Sequence, residues 1–166
     1  MSRQLLLRPF VVTLAAVLTG ALALAGCGDE IGDSCKNAAD CSPDGDRTCD
    51  TSSVGGYCTI DGCDFDTCPG EATCVRFYAG TFSTTCDPTA ENACGSLDEV
   101  CTIEGRCAPR TNEARFCMRT CSSRSDCRDG YECRDLALMQ EHGGEPVLAP
   151  GSTRSLPSFC AQAPAP

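Results

Sequence analysis

The chain has one long apolar run, from Phe10 to Ala25. Beyond it the secondary-structure signals are short, and most positions carry turn chemistry rich in Gly, Asp, Ser and Pro. Gly55-Gly56-Tyr57-Cys58-Thr59-Ile60 reads as a short strand. Val75-Arg76-Phe77-Tyr78 and Thr81 to Thr85 flank Ala79-Gly80, which predicts a hairpin closed by a two-residue turn. Asp87-Pro88 has the form of a helix start, with Asp as N-cap and Pro at the first helical position, and Ser96-Leu97-Asp98-Glu99 has the form of a capping box. Neither predicts more than a turn or two.

The apolar run is shorter than the ~20 residues a membrane-spanning helix needs, and Gly20 interrupts it. With Arg3 and Arg8 before it and small residues after it, residues 1–26 read as a bacterial export signal that the mature protein lacks. Leu24-Ala25-Gly26-Cys27 resembles the lipobox of bacterial lipoproteins at all four positions. The resemblance implies cleavage before Cys27, a diacylglyceryl group on its sulfur and an acylated amine. One acyl chain holds a protein at a membrane only marginally and two or more anchor it stably, so a lipidated Cys27 implies a protein anchored to the membrane rather than spanning it. Gly28 stands where an aspartate often retains lipoproteins at the inner membrane, so the family pattern favours the outer membrane.

Removing the signal leaves 140 residues with 11 basic and 23 acidic side chains, a formal charge near −12. Nucleic acid is a poor partner for such a chain. Large apolar residues number 22 of those 140, and tryptophan is absent. Ordering each residue costs ~1.5 kcal/mol of conformational entropy, so this apolar content is too small to hold one sizeable core by burial alone.

Cysteine supplies the remainder. Of 17 cysteines, 16 are left after Cys27, an even number in an exported chain, and eight disulfides follow. Cysteine-ligated metal is disfavoured, because the closest spacing is Cys117-x3-Cys121 and His142 is the one histidine. The cysteines divide into two sets of eight: Cys35, Cys41, Cys49, Cys58, Cys63, Cys68, Cys74 and Cys86, then Cys94, Cys101, Cys107, Cys117, Cys121, Cys127, Cys133 and Cys160. The gaps run 5, 7, 8, 4, 4, 5, 11 in the first and 6, 5, 9, 3, 5, 5, 26 in the second. Six gaps agree within two residues, Tyr57-Cys58 matches Phe116-Cys117, and Pro69-Gly70 matches Asp129-Gly130.

The fold class expected is therefore small and disulfide-rich, with short β-hairpins and little regular secondary structure. Its organisation reads as a lipidated tether at 27–34, a first cysteine-rich module at 35–86, a linker at 87–93, a second module at 94–160 and a disordered tail at 161–166. Bridges are expected to stay within each set. The surplus of the second module lies around Gln140 to Ser155, expected to be the longest exposed loop and the segment least needed for folding.

Ser34-Cys35 through Asp40-Cys41, and Cys121-Ser122-Ser123-Arg124-Ser125-Asp126-Cys127-Arg128-Asp129-Gly130-Tyr131-Glu132-Cys133, resemble the cysteine-rich repeats in lipoproteins of predatory, fruiting soil bacteria. That resemblance bears on location, since such proteins mostly lack an assigned activity. No Gly-x-Ser-x-Gly elbow is present, and His142 in a Gly-rich stretch is a poor base, so no enzyme and no cofactor are expected. The leading expectation is a lipid-anchored envelope protein that binds a protein or glycan or serves structurally. One alternative is a protease inhibitor presenting the loop around Arg154-Ser155. Another is calcium-dependent adhesion through Asp40, Asp44 and Asp46 or Asp61, Asp64 and Asp66, although these lack an EF-hand pattern and turn aspartates commonly bond their own backbone.

Overall fold

Eight disulfides account for the 16 cysteines, and they fall into four interlocked pairs. In a computed structural model that describes residues 30–90 and 92–165, each group of four cysteines bonds first to third and second to fourth. The groups are Cys35–Cys49 with Cys41–Cys58, Cys63–Cys74 with Cys68–Cys117, Cys86–Cys101 with Cys94–Cys107, and Cys121–Cys133 with Cys127–Cys160. The export signal and Cys27 lie outside the described residues.

Each knot is built on an antiparallel strand pair. The strands are β1 (Thr48–Asp50) with β2 (Tyr57–Thr59), β3 (Ala72–Tyr78) with β6 (Glu113–Arg119), β4 (Glu99–Cys101) with β5 (Cys107–Pro109), and β7 (Tyr131–Arg134) with β9 (Phe159–Gln162). In every pair the third and fourth cysteines stand directly opposite: Cys49 and Cys58, Cys74 and Cys117, Cys101 and Cys107, Cys133 and Cys160. Opposed residues of an antiparallel ladder project from the same face, so both cystines leave that face together. The segment between the first and second cysteines is thereby strapped across it.

In the first and fourth knots the strap is shaped by a reciprocal cap. In the first, Asn37 caps the single helical turn α1 (Ala38–Cys41), and the Asp40 carboxylate accepts the Lys36 and Asn37 N–H groups. In the fourth, the Asp126 carboxylate accepts from the Ser122 and Ser123 N–H groups over the 3-10 turn Arg124–Asp126. These backbone donors hold both carboxyls below their usual range.

Two bridges overturn the expected pairing within sets. Cys68–Cys117 and Cys86–Cys101 each join a cysteine of the first set to one of the second. The third knot is inserted between the strands of the second, so residues 87–93 lie inside a knot rather than linking two modules. The insertion also corrects the expected hairpin. Val75–Tyr78 is in strand as anticipated, but β3 pairs over its whole length with β6. The ladder closes where Ala79 donates to the Asn112 carbonyl and Asn112 Nδ2 donates back to that of Ala79. Thr81 to Thr85 instead runs toward the third knot, where Cys86 N–H donates to Gly105 O and Cys107 N–H to Thr84 O.

The two short helices expected near Asp87 and Ser96 are turns. Asp87 Oδ1 accepts from the Thr89 N–H, and Ser96 Oγ accepts from the Asp98 N–H. The capping chemistry is used, but strand and cystine take over before a helical turn completes. Gly55 to Ile60 holds the short strand expected of it, as β2.

Residues 27–34 are not a loose tether over their described part. Ile31 is 0% exposed in the main core, and the chain beside it pairs with β2, Gly32 donating to Cys58 O and Cys58 donating to Asp33 O. The expected disordered tail is likewise ordered at its start. Ala161 and Gln162 belong to β9, and Ala163 N–H donates to Gly130 O.

The segment 140–155 is the remaining correction. Helix α2 (Leu136–His142) occupies its start, and β8 (Glu145–Pro146) adds to the free edge of β3. Arg76 clamps β8 with two N–H groups on the two oxygens of Glu145, at 3.1 and 2.8 Å. Gly144 is buried at φ +86°, and a Cβ there would sit 2.7 Å from both Phe77 and Phe159. The 15-residue surplus in the cysteine gaps therefore contains a structural half, and its one long exposed run is Ala149 to Ser155.

The main core joins the first, second and fourth knots. Ile31, Tyr57, Val75, Met118, Tyr131, Met139 and Phe159 pack with the buried cystines. Thr59 Oγ1 donates to Cys117 O, and Phe77 meets Phe159 edge-on at 6.1 Å.

Peptide mapping under non-reducing conditions is expected to recover Cys68 linked to Cys117 and Cys86 linked to Cys101; bridges confined to residues 35–86 and 94–160 would refute the nested arrangement. Gly144→Ala is expected to cost roughly 2–4 kcal/mol in denaturant unfolding of the oxidised protein, from the left-handed backbone and overpacking together.

Candidate functional site

The loop that leaves β8 is held at both ends by main-chain bonds to cystine residues. Val147 N–H donates to Cys74 O at 2.8 Å, and Cys121 N–H donates to Ser158 O at 3.1 Å. Between these points Ser152 N–H donates to Ala149 O across Pro150-Gly151, and Arg154 N–H donates to Ser152 Oγ. Residues 152–158 have no helix or strand of their own, and Ser152 to Ser155 is exposed. Val147 and Leu156, nearer the two ends, pack against the main core. The loop arches over a cavity of about 630 Å³ whose lining, Phe65, Thr73 and loop residues among it, includes no carboxylate.

Arg154 differs from the other arginines. Nine others are described, at 47, 76, 106, 110, 115, 119, 124, 128 and 134, and each holds an ion pair or donates to a carbonyl or carboxylate. The Arg154 guanidinium makes no hydrogen bond or ion pair with any described residue, and no acidic residue follows Glu145 in the chain. That absence was legible in the sequence as a local break in an acidic chain.

A second constellation joins the first and fourth knots. Tyr57 and Tyr131 stack with ring centroids 5.4 Å apart, and the Arg128 guanidinium lies 4.1 Å from the Tyr131 centroid and 5.6 Å from that of Tyr57. Arg128 also donates to Gly56 O and to the Tyr131 hydroxyl. Tyr57 OH donates to Cys160 O and accepts from the Arg119 N–H, so every polar atom brought into this stack from the tyrosines has a partner. Beside it opens a cavity of about 290 Å³ lined by Tyr57, Phe77, Phe116 and Met118, with Arg134 at its wall. Arg134 is buried and spent: it donates to Glu132, to the His142 and Gly143 carbonyls that end α2, and to Gln162 O. No sequence signal marked these residues, because stacking partners 74 positions apart share no local pattern.

His142 Nδ1 lies 2.7 Å from Glu132 Oε1, the half of a catalytic arrangement that orients a base. Its Nε2 faces the Glu141 carboxylate at 3.5 Å, where a nucleophile would have to stand. Of the aspartates considered for calcium, Asp40, Asp46 and Asp64 are engaged locally. Asp40 accepts from its own turn, Asp46 accepts from Ser42 Oγ, and Asp64 accepts from Phe65 N–H and pairs with Arg115. The sulfurs that come closest, such as those of Cys35, Cys41 and Cys58, are two cystines in contact, whereas metals are held by thiolates.

Comparison with protein-family models, with curated proteins and with solved structures finds no match for this chain. Among the described residues no helix is long and apolar enough to cross a membrane.

All three tyrosines of the chain resist ionisation. Burial pushes Tyr57 and Tyr78 up to about 12 and raises Tyr131 as well. The folded state therefore favours neutral phenol, a contribution fully present below the unfolded value near 10 and lost as pH rises toward about 12. An alkaline absorbance titration of the oxidised protein is expected to show little tyrosinate at pH 10, and the reduced, unfolded chain to titrate near 10. Coincident curves would contradict the buried placement.

Proposed function

We propose that this chain is a lipid-anchored cell-envelope protein that acts by binding a protein or glycan, with Cys27 as the lipidated residue and the outer membrane as its site. The lipobox-like Leu24-Ala25-Gly26-Cys27 and the cystine content, which demands an oxidising compartment, support the location. The observation that carries the binding role is the Val147–Ser158 loop, exposed at its crest and fixed at both ends to the backbone of disulfide-bonded cysteines. Binding residues favour such loops because a rigid scaffold lowers the ordering cost of recognition.

The buried Ile31 adds a geometric consequence. Only Gly28, Asp29 and Glu30 separate it from Cys27, and four residue steps at ~3.6 Å each reach at most about 14 Å. A lipid on Cys27 thus holds the knotted body against the headgroup layer, with no spacer to lift it away.

Labelled palmitate is expected to enter the wild-type protein and not Cys27→Ala, and mass spectrometry of the membrane fraction should find an acylated peptide beginning at Cys27. A retained Met1, or cleavage elsewhere, would sink the anchor. An affinity pull-down from envelope extract with the oxidised protein, repeated after Arg154 and its neighbours are replaced by Gly and Ser, tests the binding role through the loop.

A further inference from the structure

We infer that the loop centred on Arg154 is a substrate-like ligand for a serine protease of trypsin-like specificity, with the Arg154 side chain entering the acidic specificity pocket. This goes beyond a general binding role and rests on the reading that the loop is the recognition segment. Four features of the loop converge on it.

The first is the availability of the guanidinium. Nine of the ten described arginines are committed to partners inside the fold, and Arg154 alone has none among the described residues. An arginine already donating to a protein carbonyl must break that bond to enter a pocket; Arg154 has nothing to break. The second is charge. The chain carries a net −10, yet residues 146–166 contain no Asp or Glu and no carboxylate lines the cavity under the loop. A specificity pocket that ends in an aspartate meets an isolated cation there and no competing anion on the same segment.

The third is that the backbone of the segment is not committed to helix or sheet. Proteases bind their substrates as extended segments that add main-chain hydrogen bonds along a strand edge. Ser152 to Ser158 lies outside helix and strand, and Thr153, Arg154 and Ser155 are exposed side by side. The fourth is restraint. Val147 and Ser158 are bonded to Cys74 and Cys121, and Leu156 is packed on the core two residues beyond Arg154. A segment anchored at both ends loses less freedom on docking than a free peptide. Hydrolysis of the Arg154–Ser155 bond would add one water, giving a carboxylate on Arg154 and an ammonium on Ser155. Both new ends would remain tied to the scaffold, Leu156 and Ser158 on one side and Val147 on the other, so the cut loop stays in place in the active site.

The test uses the full mature protein, oxidised and in detergent, against trypsin with a small chromogenic substrate. Competitive inhibition is expected. Arg154→Ala should weaken it by roughly 30-fold or more, the scale of an interface hot spot. Arg154→Lys should retain it, and Arg154→Phe should transfer it to chymotrypsin, whose pocket is apolar. Arg124→Ala, at another exposed arginine whose guanidinium is bonded to Cys127 O, should leave it unchanged. An unchanged disulfide map for each variant excludes misfolding as the cause. The inference is overturned if trypsin is not inhibited, if Arg154→Ala inhibits as well as the wild type, or if Ser155 appears as a new amino terminus at the rate of an unrestrained peptide with inhibition lost. If trypsin is not inhibited but the pull-down still depends on the loop, the binding role stands and the protease as partner falls.

Discussion

The structure depends on one geometric fact: two cysteines opposed across an antiparallel ladder are each bonded to an earlier cysteine rather than to one another. Direct bonding would have closed a hairpin and left the preceding segment free. Crossed bonding straps that segment over the ladder face, so three chain segments are joined by two covalent links in each knot. Strand pairs as short as three residues, marginal in water by hydrogen bonds alone, become firm when covalently strapped. A disulfide typically contributes about 2–4 kcal/mol, chiefly by restricting the unfolded chain. Apolar burial then has only to join knots, not to create them.

That division of labour explains the composition of the interior. The side chains that are not cystine serve at junctions. Tyr57 and Tyr131, with Arg128 over them, connect the first and fourth knots; Thr59 ties the first to the second; Phe77 and Phe159 meet between the second and fourth. A large aromatic ring with a hydroxyl suits a junction, because it supplies apolar area and also reaches a carbonyl of the neighbouring knot, as Tyr57 does at Cys160. The third knot is an insertion reached through the long β3–β6 ladder, with Ile103 packed against the main core and Leu97 at 85% exposure on its outer turn.

Rigidity of this kind is also what makes the Val147–Ser158 loop usable. Its ends are bonded to the backbone of Cys74 and Cys121, each itself disulfide-linked, while its crest carries few internal bonds. The contrast between fixed ends and an exposed crest is the physical basis of the proposed recognition. The same economy places the body close to any lipid on Cys27, because Ile31 is already part of the core.

Composition and cysteine count by themselves determined the fold class: too few large apolar residues to bury, an even set of cysteines beyond Cys27, and turn residues in between. The strand at Tyr57–Thr59 and the extended Val75–Tyr78 were legible because β-branched and aromatic residues cluster there. The internal repeat was half legible. Matching Cys58 through Cys74 with Cys117 through Cys133 compares cysteines that play the same parts in the fold, whereas matching Cys35 with Cys94 or Cys86 with Cys160 does not. The register slips because one knot is nested inside another, and nesting reorders cysteines along the chain without changing their spacing enough to show. Connectivity, the partner of β3, the burial of Ile31 and the ordered half of residues 140–155 were decided by tertiary structure alone. Each depends on which segments meet in space, and a linear spacing pattern records distance along the chain, not which of the many possible closures leaves every ladder paired and every junction filled.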